Sequence, residues 1–240
     1  MSESELARDL LAGVRELQDE WALVAGGFGE PELRAPSALP GWTRAHLVTH
    51  FARNADGLRN LLTWVRTGVE TPMYASAKAR EDDIETGSRR SAAEIIADVV
   101  ASSEKFAQLA GEMPDEAWAG QARNRQGKPV AGPVVVRMRF SEAAIHLADL
   151  DAGYDLARVT TMIGPRIAHL VEHAITQRGG DLPSLKLVGV TEDGTRYEWA
   201  MGAGEGTTVT GSCADILAWV TGRADGSALD GDVPKLPPWT

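Results

Sequence analysis

Cysteine is nearly absent: Cys213 stands alone among 240 residues. An intrachain disulfide is therefore excluded, and the fold has to be held by packing. Basic charge is short as well. Lys and Arg number 24 against 34 Asp and Glu, a formal net charge of −10. Such a surface repels nucleic acid and anionic lipid at long range. No run approaches the roughly 18 apolar residues of a membrane span. The first residues, Met1-Ser2-Glu3-Ser4-Glu5, are acidic and hold no apolar signal core. Internal repeats and low-complexity segments are missing too. These absences predict a soluble cytoplasmic protein that binds neither nucleic acid nor membrane; a monomer is expected, though nothing in the sequence sets the oligomeric state. An anionic substrate would need local arginine or lysine. What is present is ordinary globular material, 43% hydrophobic and 24% charged, enough for a core.

The first 150 or so residues read as helices. Leu6, Leu10, Leu11, Val14, Leu17, Trp21 and Leu23 give a helix over Ser4 to Ala25 an apolar side. Thr43 suits the N-cap of a second helix, running to Thr67 and stopped by Gly68. A short helix is expected near Lys78 to Thr86. Ser91 caps a third long helix to Gly111, and Gln121 to Gly132 reads as loop. Pro133 suits the first turn of a fourth, ending near Leu150. After Asp151-Ala152-Gly153 the character changes. One helix is expected over Arg158 to Gln177, then strands over Ser184–Val190, Thr195–Met201 and Thr207–Gly211. Glu192-Asp193-Gly194 is a hairpin signal between the first two strands. Ala214 to Gly222 reads as a short helix, and the tail from Ala228 as extended chain. The fold class expected is α+β: a four-helix bundle over 1–152 and a small α+β domain over 153–240.

Two stretches place metal-type ligands four residues apart on a helix. One is His46-Leu47-Val48-Thr49-His50; the other is Glu142-Ala143-Ala144-Ile145-His146. Side chains at that spacing share one helix face. Leu47, His50, Asn54, Leu58 and Leu61 follow steps of three and four, so His50 points inward. Met138, Glu142, Ile145, His146 and Asp149 share a face of the fourth helix. Glu142 is the odder residue, because its neighbours are apolar and a buried carboxylate requires a cation or a donor. Two such helices could share an ion and leave one position open. Spacing alone leaves alternatives: a surface Glu142–His146 pair, His46 in place of His50, or the pair His169 and His173.

The motifs then carry a resemblance. Gly41-Trp42-Thr43 leading to His50, followed by Glu142-x-x-x-His146, resembles the mycothiol-dependent maleylpyruvate isomerases, within a wider group of DinB-like metal-binding helix bundles. Glu70-Thr71-Pro72-Met73-Tyr74-Ala75-Ser76, Gly202-Ala203-Gly204-Glu205-Gly206 and the tail Gly231-Asp232-Val233-Pro234 to Pro238-Trp239 are similar to the isomerase itself. The resemblance implies an N-terminal DinB-like four-helix bundle and a zinc ion held by His50, Glu142 and His146. It leaves His46, His169 and His173 with structural or surface roles. Gly222-Arg223 matches an arginine that the family uses in its C-terminal domain, which makes Arg223 the candidate catalytic residue. The reaction implied is isomerisation of maleylpyruvate to fumarylpyruvate, in gentisate breakdown, with mycothiol as cofactor.

That reaction needs a route around a double bond. A thiolate can add to the electron-poor carbon, let the single bond rotate, and leave. Cys213 is the only thiol the chain owns, and no histidine lies near it in sequence, so a diffusible thiol is expected. Bound to zinc, such a thiol would be ionised outright. Ionisation raises the thiolate population only some 30-fold over a free thiol, so positioning must supply much of the rest. The substrate is a dicarboxylate, and Arg223 is the candidate to grip one carboxylate and the developing enolate. Arg80 and Arg139 are weaker candidates for the same grip, Arg139 lying three residues before Glu142; since most such arginines are solvated, both are left outside the site. The alternatives are a zinc-dependent mycothiol S-transferase acting on electrophiles, and a non-catalytic metal-binding bundle.

Overall fold

The structure is a computed structural model that describes residues 2–178, 181–204 and 206–239. The chain divides into two compact units, Met1–Gly153 and Tyr154–Thr240.

Four long helices build the first unit: α1 (Glu3–Gly26), α3 (Arg44–Thr67), α5 (Ala92–Gly111) and α6 (Gly132–Asp149). Their starts follow from local chemistry. The Ser2 hydroxyl accepts from the Glu5 amide while Glu5 reaches back to the Ser2 amide, and Ser91 with Glu94 repeats the device. Each satisfies two amides that the helix cannot. Thr43 begins α3 in the same way, but its reciprocal partner is His46, whose Nδ1 lies 2.7 Å from the Thr43 hydroxyl. The left-handed turn at Gly68 (φ 70°) ends α3. Packing joins α3 to α5 and α6, and α1 to α5 and α6. Leu10, Val14, Leu17, Leu47, Leu58, Leu61 and Phe140 are all but sealed from solvent, each burial stabilising by about 1.5–3 kcal/mol. Trp21 of α1 stacks on Phe51 at 4.0 Å and donates its indole N–H to the Ala143 carbonyl at 2.9 Å. That bond holds α1 against the stretch of α6 that carries Glu142 and His146.

Two short helices complete the unit. The five-residue α2 (Glu30–Arg34) lies in the segment between α1 and α3. The short helix expected near Lys78 is α4 (Ala77–Gly87), capped by Ser76. Two glycines press this region onto α3. A Cβ on Gly57 would meet Met73 Cγ at 2.8 Å, and one on Gly87 would meet Thr49 Cγ2 at 2.6 Å. Hence the 70–76 loop and α4 both lie flush against α3, the helix that carries His50.

The segment Gln121 to Gly132 departs from the loop expected. It holds an antiparallel hairpin of β1 (Gln121–Arg123) and β2 (Pro129–Ala131). Asn124 Oδ1 accepts from the Gln126 and Lys128 amides, and Gly127 takes φ 75°. Three-residue strands are too short to display a period of two, so composition alone concealed them.

The second unit opens with two helices where one was expected. Gly164 (φ 53°) and Pro165 break the run into α7 (Leu156–Ile163) and α8 (Ile167–Gln177), joined by a 3-10 turn. Proline removes a helical N–H and its ring clashes with the preceding turn. The strands are β3 (Leu185–Val190), β4 (Arg196–Met201) and β5 (Thr207–Ser212), in the order β4-β3-β5, with β4 antiparallel and β5 parallel to β3. The Glu192-Asp193-Gly194 turn joins β3 to β4, with Gly194 at φ 83°. Glu205, part of one motif quoted above, lies outside the described residues. The last helix is α9 (Cys213–Val220), capped by Ser212. Among the described residues no helix is long and apolar enough to cross a membrane.

Candidate metal centre

Helix α3 brings His50 to the face of α6 that carries Glu142 and His146. His50 Nε2 lies 3.0 Å from Glu142 Oε2, and His146 Nε2 lies 3.3 Å from the same oxygen. The imidazoles stand nearly perpendicular, their centroids 5.1 Å apart. One donor atom from each of the three residues lies within 4.8 Å of the other two. Two atoms held about 2.0–2.1 Å from one tetrahedral ion are themselves about 3.3 Å apart. The spacing therefore suits a shared ion, and two imidazoles with one carboxylate form a donor set of the catalytic zinc type. The three could hold such an ion.

Around them the burial is uneven. The His50 side chain is 6% exposed and His146 16%, but Glu142 keeps 32%. The cluster is thus closed by protein on its His50 side and open beside the carboxylate. Trp42 presents an edge contact to His50, 5.4 Å between centroids, which gives the Gly-Trp-Thr motif a physical role as one wall. Burial alone would raise the Glu142 carboxyl, yet hydrogen bonds from His146 and His50 hold it well below the usual range. Burial pushes His50 down, against the pull of Glu142, while His146 and Arg80 lower it further. Burial would lower His146 too, but hydrogen bonds to Asp149 and Glu142 raise it to about 9. Without an ion, one proton on His146 thus partly offsets the charge of Glu142.

Residues 14–151, more than half of the chain, match the family described as "Mycothiol maleylpyruvate isomerase N-terminal domain". The chain belongs to that family. Its whole length is also similar to the whole of a solved structure described as the crystal structure of the mycothiol-dependent maleylpyruvate isomerase, at 29% identity and a TM-score of 0.80. A histidine-to-alanine mutant of that isomerase is similar over the same extent, at 28% identity and a TM-score of 0.80. No curated protein sequence matches it significantly.

Within this member of the maleylpyruvate isomerase family, the histidines separate by their surroundings. His46 is spent on the Thr43 cap and on Glu85, 3.3 Å from its Nε2. His169 and His173 lie on α8 in the second unit, His169 with Nδ1 3.9 Å from Glu172. Arg223 follows α9 just after the left-handed turn at Gly222, and its guanidinium donates to the Thr221 carbonyl at 2.9 Å. Cys213 is 1% exposed, and burial pushes its thiol up to about 11.

Two arginines need correction. Arg139 is not solvated: it is 0% exposed. Its guanidinium lies over the Phe51 ring at 3.5 Å and donates to the Phe51 carbonyl, Asn54 Oδ1 and Ser103 Oγ. Arg80 is half-buried and held in place. Its Nη2 sits 3.1 Å from His50 Nδ1, because α4 packs flush on α3. Asp149 also has a role that its place on the α6 face did not reveal, with Oδ2 2.7 Å from His146 Nδ1. Its spacing of three after His146 was the signal available for it. Tyr74, beneath Arg80, belonged to a motif but had no chemical assignment.

Proposed function

We propose that the chain is a maleylpyruvate cis–trans isomerase that makes fumarylpyruvate, a step in gentisate breakdown, using mycothiol and a zinc ion held by His50, Glu142 and His146. The observation that carries the reading is the meeting of those three donor atoms at an opening, in a chain similar along its full length to such an isomerase. When bound, zinc ionises a thiol and so supplies a nucleophile that adds to the alkene, permits rotation and leaves.

The residues divide the remaining work. Glu142 stays charged at neutral pH and offsets half of a divalent charge. Asp149 accepts from His146 Nδ1–H and thereby leaves the Nε2 lone pair for an ion, the arrangement that a ligating imidazole needs. Trp42 walls off His50 and keeps water from that side. Arg223 is assigned to the substrate: a guanidinium suits a carboxylate in two-point contact and an enolate oxygen that gains charge. In this reading the metal ligands come from residues 1–152 and the substrate arginine from residues 153–240.

The deciding assay uses the zinc-loaded full chain with mycothiol and maleylpyruvate. Loss of the maleylpyruvate absorbance with fumarylpyruvate appearing, and with no thiol conjugate accumulating, supports the isomerase. Accumulating conjugate without isomerisation makes the chain an S-transferase. Zinc uptake with no thiol-dependent rate makes it a non-catalytic bundle.

A further inference from the structure

The two imidazoles of the centre differ in what holds their outer nitrogen. His146 Nδ1 faces an acceptor, Asp149 Oδ2, at 2.7 Å. His50 Nδ1 faces Arg80 Nη2 at 3.1 Å. A guanidinium has five donors and no acceptor. Arg80 can therefore hold His50 only while Nδ1 is bare, which places the ring proton on Nε2, toward Glu142. An ion at Nε2 requires the opposite tautomer, with the proton on Nδ1. Two N–H groups would then point at each other, and the Arg80 contact would end.

The surroundings show where the guanidinium can turn. Arg80 lies over the Tyr74 ring, 5.8 Å from its centroid. Both residues line a cleft of about 510 Å³ that is also lined by Arg123 and Arg125 of the β1–β2 turn region, and by Glu70 and Glu81. Three arginines against two glutamates leave the cleft positive, in a chain whose net charge is −10. Burial raises the Tyr74 phenol and the Glu142 charge adds to it, while Arg80 and Arg125 pull the other way. Both cations are thus within electrostatic reach of one phenol beside the metal centre. The volume suits a small carboxylate-bearing molecule.

We propose that Arg80, with Arg125 across the cleft, binds a carboxylate of the substrate beside the metal centre, and that an ion on His50 makes Arg80 available by ending its contact with that imidazole. The proposal rests on reading His50, Glu142 and His146 as ion ligands; it does not depend on which reaction follows. Arg80 then has two partners in alternation, an imidazole in the metal-free protein and a carboxylate in the loaded one.

Maleate, a short cis-dicarboxylate offered without any thiol so that nothing can add to it, is the probe. Zinc content is measured first, by elemental analysis of the full-length wild type and of Arg80→Gln and Arg80→Lys. Calorimetric titration with maleate follows, on zinc-loaded and zinc-free protein. Zinc stoichiometry and thermal unfolding are expected to be equal in all three chains. Loaded wild type should bind maleate about ten- to a hundredfold more tightly than loaded Arg80→Gln, the worth of a hydrogen bond between charged groups. Zinc-free wild type should bind as weakly as the Gln variant. Arg80→Lys should fall between, since it keeps the charge and loses the fork. Binding by loaded Arg80→Gln within twofold of wild type overturns the inference, as does equal binding with and without zinc. A wild type that takes up no zinc overturns instead the reading of the three ligands on which the inference rests.

Discussion

Two charged clusters stand three residues apart on α6, and they end differently. At Arg139 the protein answers most of its own charge, Nε alone being left without a hydrogen-bond partner. The guanidinium is wholly buried, stacked on Phe51 and bonded to three neutral acceptors from α3 and α5. At Glu142 the answer is incomplete. Two imidazoles reach one carboxylate oxygen, and a third of the side chain remains open. Burial depresses Arg139 to about 9, leaving it charged at neutral pH, while Glu142 is held charged by its two histidines. The difference teaches how to tell a structural charge from a functional one in the same core. A charge enclosed by groups the chain supplies, with no side open, holds the fold; a charge closed on one side and open on the other is arranged for something that arrives.

The comparison breaks most visibly at His50. His50→Ala reduces three protein ligands to two, and zinc content and turnover should both fall to background. Full zinc occupancy by elemental analysis, in a folded variant, would show that the open cluster does not hold the ion. Metal uptake also has a pH signature. Burial lowers His146, but Asp149 and Glu142 raise it to about 9. At pH 7 the metal-free protein therefore carries a proton there that the ion has to displace. Zinc affinity should rise as pH climbs toward 9, with about one proton released per ion at pH 7, read by titration in weakly buffered solution.

Arg223 tests whether the second unit adds chemistry to the bundle's cluster. Arg223→Ala should leave zinc in place and cut kcat by about 10²–10³, the usual cost of one donor that stabilises developing charge. An unchanged rate would remove Arg223 from the reaction. Arg139→Met addresses the enclosed cluster. The side chain keeps an apolar stem but leaves Asn54, Ser103 and the Phe51 carbonyl without their donor. Stability should fall by about 3 kcal/mol, measured by denaturant unfolding, with zinc content per folded molecule unchanged. Loss of zinc at full stability would mean that the two clusters are one. Asp149→Asn is gentler. It keeps the shape and weakens the grip on His146, so zinc affinity should drop about 10- to 100-fold with little change in fold.

Parts of this were legible in the chain before any coordinates. Thr43 and Ser91 announced two helix starts, because a cap is a local event within three residues; the Ser2 cap of α1 was missed. Glu142 and His146 announced themselves by helical spacing. The choice of His50 over His46 was not legible from spacing. It turns on His46 occupying the third helical position, where its ring is spent on Thr43. Arg80 was illegible for a different reason. Its contact with His50 spans 30 residues and depends on α4 pressing against α3 at Gly87, which no periodicity encodes. Arg139 looked like any charged helical residue because its acceptors come from two other helices. The break at Gly164-Pro165 could have been read, since the pair is a strong turn signal. The hydrophobic period running through it masked the break.

The smallest effect is expected at Cys213, and it bears on whether this enclosed group is structural, like Arg139, or chemical, like Glu142. Cys213 opens α9, where a helix dipole favours a thiolate. That dipole is worth about 0.3–1 kcal/mol, less than one unit of pKa. Burial works against it and wins, for the thiol is pushed up to about 11. Roughly one molecule in ten thousand would then carry the thiolate at pH 7. Space is short as well, since a Cβ on Gly189 would already meet the sulfur at 2.8 Å. Cys213→Ala should thus keep turnover within about twofold and lower stability by about 1 kcal/mol, the loss of one small buried group. Alkylation of wild-type Cys213 should be far slower in the folded protein than in denaturant. A folded Cys213→Ala chain without activity would place the nucleophile inside the protein, and the diffusible thiol would lose its part in the reaction.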